Sequence, residues 1–303
     1  MFKHILIPLD GSHLAESVLP AANYLSEKLG ASVTLIHVIE KDAPGNIHGD
    51  IHLRNSKDAE AYLLNIANSS FSKKTNVKYH VHEQQVTNVA SSIVEHSGEL
   101  NPDLIIMCSH GRGGMKDIFF GSIAQKVIGL GRTPVLLIQP QTEGIKTEFI
   151  CNTMLVPVDG NPEHELGLTA AEEIAKACKS HLHLLMAIPL FGSLSGEWTS
   201  SSKFLPGTTT RMLEMVADSS EEYLQHLKDD IIDPDIVVSS ESSREDPENA
   251  IIDSTKHLNA DVVVLGTHGK SGMEAFWSGS VTAKICRTIK KPILLVPIKK
   301  SSK

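Results

Sequence analysis

The sequence predicts two copies of a doubly wound α/β domain, each a five-stranded parallel sheet of Rossmann-like kind. Three observations carry this. The chain has 303 residues, which at roughly 150 residues per domain suggests two domains. Three sequence blocks recur in the same order. Each copy also alternates short apolar runs with segments of helical period, the pattern of a parallel sheet covered by crossover helices.

The repeat sets the domain limits. Phe2 to Ser12 (FKHILIPLDGS) returns as Asn152 to Pro162 (NTMLVPVDGNP), so Asp10 matches Asp159 at an offset of 149. Asp103 to Gly111 (DLIIMCSHG) returns as Asp261 to Gly269 (DVVVLGTHG) at an offset of 158. Thr133 to Pro140 returns as Lys291 to Ile298 at the same offset, so the second copy carries nine extra residues in between. The expected domains are 1–141 and 150–299, joined by a polar stretch.

Each element has its own signature. Ile5 to Leu9 is a continuous apolar run, as in a strand buried on both faces, with Pro8 tolerated at its end. Leu14, Val18, Ala22, Leu25 and Leu29 share one helical face, and Gly30 stops that helix. Strands are expected at Val33 to Ile39, Val77 to Glu83, Leu104 to Met107 and Val135 to Ile138. Helices are expected at Ser56 to Phe71, Val89 to His96 and Gly121 to Gly129. Copy two repeats the order, with its extra length in Pro189 to Thr210, a Ser-, Thr- and Gly-rich stretch that reads as a loop. The last strands, 135–138 and 293–298, are apolar and terminal in each sheet. Antiparallel pairing of the two would hide both edges and make the chain an intramolecular pseudo-dimer; whether two chains then form a homodimer stays open.

Composition excludes several classes. With 28 Lys+Arg against 36 Asp+Glu the net charge is −8, which disfavours non-specific nucleic-acid binding. No apolar run approaches the roughly 20 residues of a membrane span, and the N-terminus shows no signal-peptide pattern. Cys108, Cys151, Cys178 and Cys286 are widely spaced and read as reduced thiols of a cytoplasmic protein. The expected partners therefore include neither nucleic acid nor membrane.

In doubly wound sheets ligands bind beyond the carboxyl ends of strands, where the strand order reverses. The loops after strands one and four are thus the informative ones. After strand one stand Asp10-Gly11-Ser12 and Asp159-Gly160-Asn161. The carboxylate can accept hydrogen bonds from ribose hydroxyls, or it can cap the next helix. After strand four, copy two reads Gly266-Thr267-His268-Gly269, nine residues, then Gly279-Ser280 opening a helix. Glycines admit close backbone approach, and a helix N-terminus favours an anion; a tight turn plus a cap would use the same residues. Gly269-Lys270-Ser271 is not the end of a P-loop, because the first glycine of that motif would fall on Val264.

Taken together, these residues resemble the universal stress protein family, whose nucleotide-binding members carry G-x-x-G, nine residues, then G-[ST] after strand four and an Asp after strand one. Gly266, Gly269, Gly279, Ser280 and Asp159 match in full, and the resemblance spans both copies. It implies the adenine nucleotide alpha hydrolase-like variant of the fold. It also implies ATP, or ADP or AMP, as ligand, with Mg²⁺ on the phosphates. By the same resemblance the Asp and first glycine contact the ribose, and the later glycines and Ser hold phosphates. The end of strand two, Val38 in copy one and Ala187 in copy two, reads the adenine. Copy one keeps Asp10, Gly111, Gly121 and Ser122 but has Cys108 in place of the first glycine, which puts its site in question.

His110 and His268 lie inside the phosphate loops and could donate to a phosphate or to the loop itself. His80 and His82 share one strand face, as do His181 and His183; both pairs read as solvated faces, and no metal ligand is assigned. No nucleophile, base and orienting group can be assembled from local sequence. The chain is therefore read as a regulatory ATP-binding module of the stress response with an unidentified protein partner. A slow ATPase or phosphotransferase using the same pocket, and a nucleotide-free dimerisation scaffold, are the alternatives.

Overall fold

The computed structural model describes residues 1–109, 121–140, 148–161, 165–188, 206–268 and 281–298, with backbone alone at 206–210, 212, 213 and 268. In the first half, β1 (His4–Pro8), α1 (His13–Glu16), α2 (Leu19–Leu29) and β2 (Ser32–Glu40) are followed by a small hairpin, β3 (Asn46–Ile47) and β4 (Asp50–Ile51). Then come α3 (Ser56–Ser70), β5 (Val77–Val86), α4 (Val89–Leu100), β6 (Leu104–Cys108), α5 (Ser122–Leu130) and β7 (Val135–Ile138). The second half has β8 (Thr153–Val158), α6 (Leu166–Cys178), β9 (His181–Ala187), α7 (Pro206–Asp230), β10 (Val238–Ser243), α8 (Pro247–His257), β11 (Val262–His268), α9 (Val281–Thr288) and β12 (Ile293–Ile298).

The strands form one ten-stranded sheet in the order β10-β9-β8-β11-β12-β7-β6-β1-β2-β5. All neighbours are parallel except β7 and β12, which are antiparallel with Leu136 opposite Leu294. Each half taken in its own chain order reads 3-2-1-4-5, so the order reverses between β1 and β6 and again between β8 and β11. At both places the pairing is short. β1 and β6 are in register only at Ile5–Leu104 and Leu6–Ile105, and β8 and β11 only at Met154–Val262 and Leu155–Val263. Beyond these residues the strands splay, and each splay opens a crevice at the carboxyl ends. Because the halves run antiparallel, the two crevices face opposite ends of the sheet.

The two-residue period of the strands sorts side chains between two cores. Ile5 and Ile7 join Leu35, Leu63, Leu182, Leu227 and Val296 on one face. Leu6 joins Ile36, Ile93, Leu155, Ile251 and Leu295 on the other. Both cores run through both halves, so burial continues across the central seam.

Two devices recur in both halves. Asp103, just before β6, accepts the backbone N–H of Lys3 at 2.8 Å and of His4 at 3.0 Å. Asp261, just before β11, accepts those of Asn152 at 2.8 Å and Thr153 at 3.1 Å. Each fastens the start of a first strand to the start of a fourth. Tyr62 donates to Glu16 at 3.1 Å, and Tyr223 to Glu165 at 2.9 Å, tying each third-strand helix to the segment after the first strand.

The structure departs from the sequence reading in four places. The helix expected from Leu14 to Leu29 is broken into α1 and α2. Pro20 in the first turn of α2 has no N–H to give the carbonyl of Glu16, and its ring would collide with that carbonyl. The hairpin β3–β4 has no counterpart among the expected elements. His48 (φ 51°) and Gly49 (φ 92°) are both left-handed, the requirement of a tight two-residue hairpin turn. Strand β5 and helix α4 run three and four residues past the expected Glu83 and His96. The Pro189 to Thr210 stretch ends as helix, since α7 begins at Pro206, where proline suits a first turn; its residues 189–205 lie outside the described residues.

The aspartate fastenings are hydrogen bonds to a charged acceptor, worth about 1.5–3 kcal/mol each to stability. Asp103→Ala and Asp261→Ala should each lower the unfolding free energy by about that amount, additively because they sit in different halves. Chemical denaturation measures this; a loss below about 0.5 kcal/mol in both variants would show the fastenings to be inert.

Candidate functional site

A cavity of about 230 Å³ lies in the crevice of the first half. Its walls come from the ends of β1 (Pro8 to Asp10), β2 (Ile36 to Val38) and β6 (Met107, Cys108), and from the start of α5 (Gly121, Ser122). Four residues expected from sequence, Asp10, Val38, Gly121 and Ser122, are therefore brought together. Gly111 lies outside the described residues.

Local chemistry sets each group. Gly11 has φ +90°, and a Cβ there would stand 2.8 Å from Leu53 Cγ, so the turn after β1 admits only glycine. That turn aims Asp10 into the crevice. Asp10 Oδ1 accepts from the backbone N–H of Ser12 at 2.9 Å and from its hydroxyl at 2.6 Å. Ser12 Oγ in turn accepts from Ala15 N–H at 3.1 Å and is the N-cap of α1. Of the two roles left open for Asp10, the cap thus falls to Ser12. Val38 sits where the β2–β5 ladder slips register, between Val38–His82 and Glu40–Val86. Such a bulge interrupts the backbone pairing locally. Gly121 is the N-cap of α5, with no side chain to occupy the first N–H groups of the helix.

Several lining residues escaped the sequence reading. Ile47, His48 and His52 reach the cavity from the β3–β4 hairpin, and Lys126 from α5. Lys126 stands one turn after Ser122, an i,i+4 spacing that could have pointed to it. His37 Nδ1 is 2.8 Å from the Leu9 carbonyl and its Nε2 3.2 Å from that of Leu53, holding the hairpin's exit against β1.

In the second half, Asp159 follows β8 and accepts from Asn161 N–H at 3.1 Å, repeating the Asp10 turn. Gly160 again has a positive φ, +76°. Ala187 closes β9, and Gly266 lies in β11 opposite Val296. His268 ends β11. Gly269, Gly279 and Ser280 lie outside the described residues. The halves differ at matched positions. Cys108, half-buried at the end of β6, corresponds to Gly266. Lys126 corresponds to Lys284, which pairs with Glu248 at 3.0 Å; Glu248 stands where the first half has Ala90.

The histidine pairs are more enclosed than solvated faces. His181 Nε2 and His183 Nδ1 each lie 2.7 Å from Ser239 Oγ. His80 and His82 are half-buried beneath α4, whose His96 packs against both rings. Burial, with the neighbouring imidazoles, holds the pKa of His80 below the ordinary histidine value.

The fold coincides with that of one family. The Universal stress protein family model matches residues 1–139 and 151–297, and the chain belongs to that family. Universal stress protein Sll1654 of Synechocystis is 31% identical over 138 residues, 46% of this chain and 86% of that protein. A functionally unknown protein, PA1789 of Pseudomonas aeruginosa, superimposes with a TM-score of 0.66 at 16% identity, covering 98% of this chain and 93% of its own. A universal stress protein of Archaeoglobus fulgidus does so at 0.60 and 18%, covering 99% and 97%. At these identities the two structures bear on the fold alone.

An ion pair ties the hairpin over the cavity to the start of α1. His13 Nδ1 lies 2.7 Å from Asp50 Oδ1, and the His13 backbone N–H donates to Oδ2 at 2.9 Å. The hydrogen bond and charge of Asp50 raise the His13 pKa above its ordinary 6.5. The His13 backbone and side-chain hydrogen bonds lower that of Asp50 below its ordinary 3.8. Histidine's contribution is complete below 6.5 and is lost as pH rises through its raised pKa; the carboxylate's is complete above 3.8 and is lost as pH falls through its lowered pKa. The hairpin should be tightest between those two values. Amide exchange of residues 46–51, corrected for intrinsic rates, should speed up as pH rises above 6.5 through the raised pKa of His13. His13→Ala should flatten that dependence, and an unaltered profile in the variant would assign the fastening elsewhere.

Proposed function

We propose that the chain is a regulatory adenine-nucleotide-binding module acting in the stress response, with ATP as the ligand and ADP or AMP as its shorter forms. One observation carries the reading: the splayed ends of β1 and β6 enclose Asp10, the Val38 backbone and the first turn of α5 around a single cavity. Asp10, with Oδ1 already engaged by Ser12, offers its second oxygen to ribose hydroxyls. The bulge at Val38 offers backbone groups to an adenine edge. The N-terminus of α5 offers N–H groups and its dipole to phosphate, and Lys126 adds a cation on the same helix. At about 230 Å³ the cavity suits a nucleoside, so the phosphate tail would run outward along α5.

A magnesium ion fits this arrangement as a passenger of the phosphates, since Mg²⁺ keeps its waters and needs only one or two carboxylates. Asp10 and Glu40 are the acidic residues on the cavity wall. The second half keeps the full motif, with Asp159, Ala187, Gly266, His268, Gly269, Gly279 and Ser280, and is proposed as a second site. Cys108 favours one other reading, for the first half only. Its side chain borders the cavity where Gly266 has none, which suits a nucleotide-free scaffold there.

Calorimetric titration of the full chain with ATP and with adenosine tests this. Two binding events are expected. Gly121→Val should weaken one and Gly279→Val the other, each by at least about tenfold, the loss of one charge-assisted hydrogen bond. Lys126→Ala should weaken ATP by about tenfold and adenosine less than about twofold, because it meets only the phosphates. A single event, untouched by Gly121→Val, would make the first half a scaffold. No saturable binding of any adenine nucleotide would overturn the proposal.

A further inference from the structure

Outside the crevice, three imidazoles converge under α4. His80 and His82 project from one face of β5, and His96 comes down on them from the penultimate turn of α4. The ring centroid of His96 is 4.7 Å from that of His80 and 5.0 Å from that of His82. One nitrogen from each ring lies within 4.8 Å of the other two. His82 Nδ1 and His96 Nε2 are 2.9 Å apart. His80 Nε2 is buried without a hydrogen-bond partner among the described residues, a costly state for a polar atom. We propose that His80, His82 and His96 form a three-histidine site for a late first-row divalent cation, of which Zn²⁺ is the expected occupant.

The chemistry of the donors selects the ion. Imidazole nitrogen suits Zn²⁺, Cu²⁺ or Ni²⁺, whereas Mg²⁺ and Ca²⁺ take oxygen. Zinc–nitrogen bonds of about 2.0–2.1 Å in tetrahedral geometry set the ligand atoms roughly 3.3 Å apart. The His82–His96 pair must open by a few tenths of an ångström and His80 move inward, rotamer-scale adjustments for half-buried rings. Water would take the fourth position.

The surroundings support the same assignment. Glu99 Oε2 lies 2.9 Å from His96 Nδ1. A carboxylate on the far nitrogen of a ligating histidine fixes its tautomer and leaves Nε2 free for metal. Without an ion, His82 Nδ1–H donates to that Nε2. On binding, the His82 proton moves to its own Nε2 and Nδ1 becomes a ligand, with no net change in protons. The second half lacks this set. Strand register places Glu241 and Ser243 opposite Leu185 and Ala187, as His80 and His82 stand opposite Ile36 and Val38. Ser254, which corresponds to His96, donates to Glu241 instead. The same location in the matching half is a hydrogen-bonded pair, so the three histidines are no requirement of the fold.

The test is titration of the tag-free full chain with ZnCl₂ by calorimetry, with Co²⁺ absorption as a geometric readout. One Zn²⁺ per chain is expected in the micromolar range or tighter, with visible Co²⁺ bands of a four-coordinate site, and millimolar Mg²⁺ should not displace it. His82→Ala and His96→Ala should weaken binding at least about a hundredfold, and Glu99→Gln about tenfold. Glu99 is largely exposed, so its variant carries the comparison if a histidine variant fails to fold. Absence of saturable Zn²⁺ binding to the parent chain, or binding that Glu99→Gln and the folded histidine variants leave unchanged, would overturn the proposal.

Discussion

The antiparallel pairing of β7 with β12 is the constraint on which the rest of the molecule depends. Each half ends in a strand that is apolar along its length: Val135, Leu136, Leu137 and Ile138 in one, Ile293, Leu294, Leu295 and Val296 in the other, all buried. Left at a sheet edge, either would be a template for aggregation. Joined, they make the centre of a ten-stranded sheet whose outer edges are β5 and β10. Those edges are blunted by polar residues: Lys78, Glu83 and Gln84 on β5, and Ser239, Ser240 and Glu241 on β10. The seam is reinforced from the side, where the Gln139 amide donates to the carbonyls of Cys286 and Ile289 at the end of α9. On the other face α2 packs on α6, and the N-terminus meets Glu173.

The seam also frees the two halves to differ. Burial and strand pairing are satisfied by positions that repeat, so the crevice and its surroundings can change without loss of fold. Cys108 stands for Gly266, Lys126 borders a cavity while Lys284 is held by Glu248, and three imidazoles occupy the place of Glu241, Ser243 and Ser254. Each difference alters what the half can bind: the room beside a ribose, the cation beside a phosphate, the donor set beside β5.

What was legible in the sequence follows the same division. Strands such as β1 and β7 are continuous apolar runs, and their short-range pattern already fixes type and position. The repeat of Asp10 at Asp159 and of Asp103 at Asp261 marked two copies of one domain, and the doubly wound class then singled out the loops after strands one and four. Asp10, Gly121 and Ser122 stand in those loops, Val38 came only from the family resemblance, and the structure gathers all four at one cavity. Features made by tertiary packing were not legible. His96 lies 14 residues from His82, and nothing local says that α4 lays it across β5. The β3–β4 hairpin rests on two consecutive left-handed residues, His48 and Gly49, of which only the glycine announces itself. The break between α1 and α2 could have been read from Pro20, but the apolar face of the surrounding helix period masked it.

Hydrogen–deuterium exchange on the full chain tests the central claim most directly, that the two copies form one sheet through a buried antiparallel seam. Amides of β7 and β12 should exchange as slowly as those of β1 and β8, by global unfolding alone. Exchange of β7 and β12 at a faster rate, while β1 and β8 stay protected, would show that the halves separate at the seam and that the continuous sheet is not the ground state of the protein.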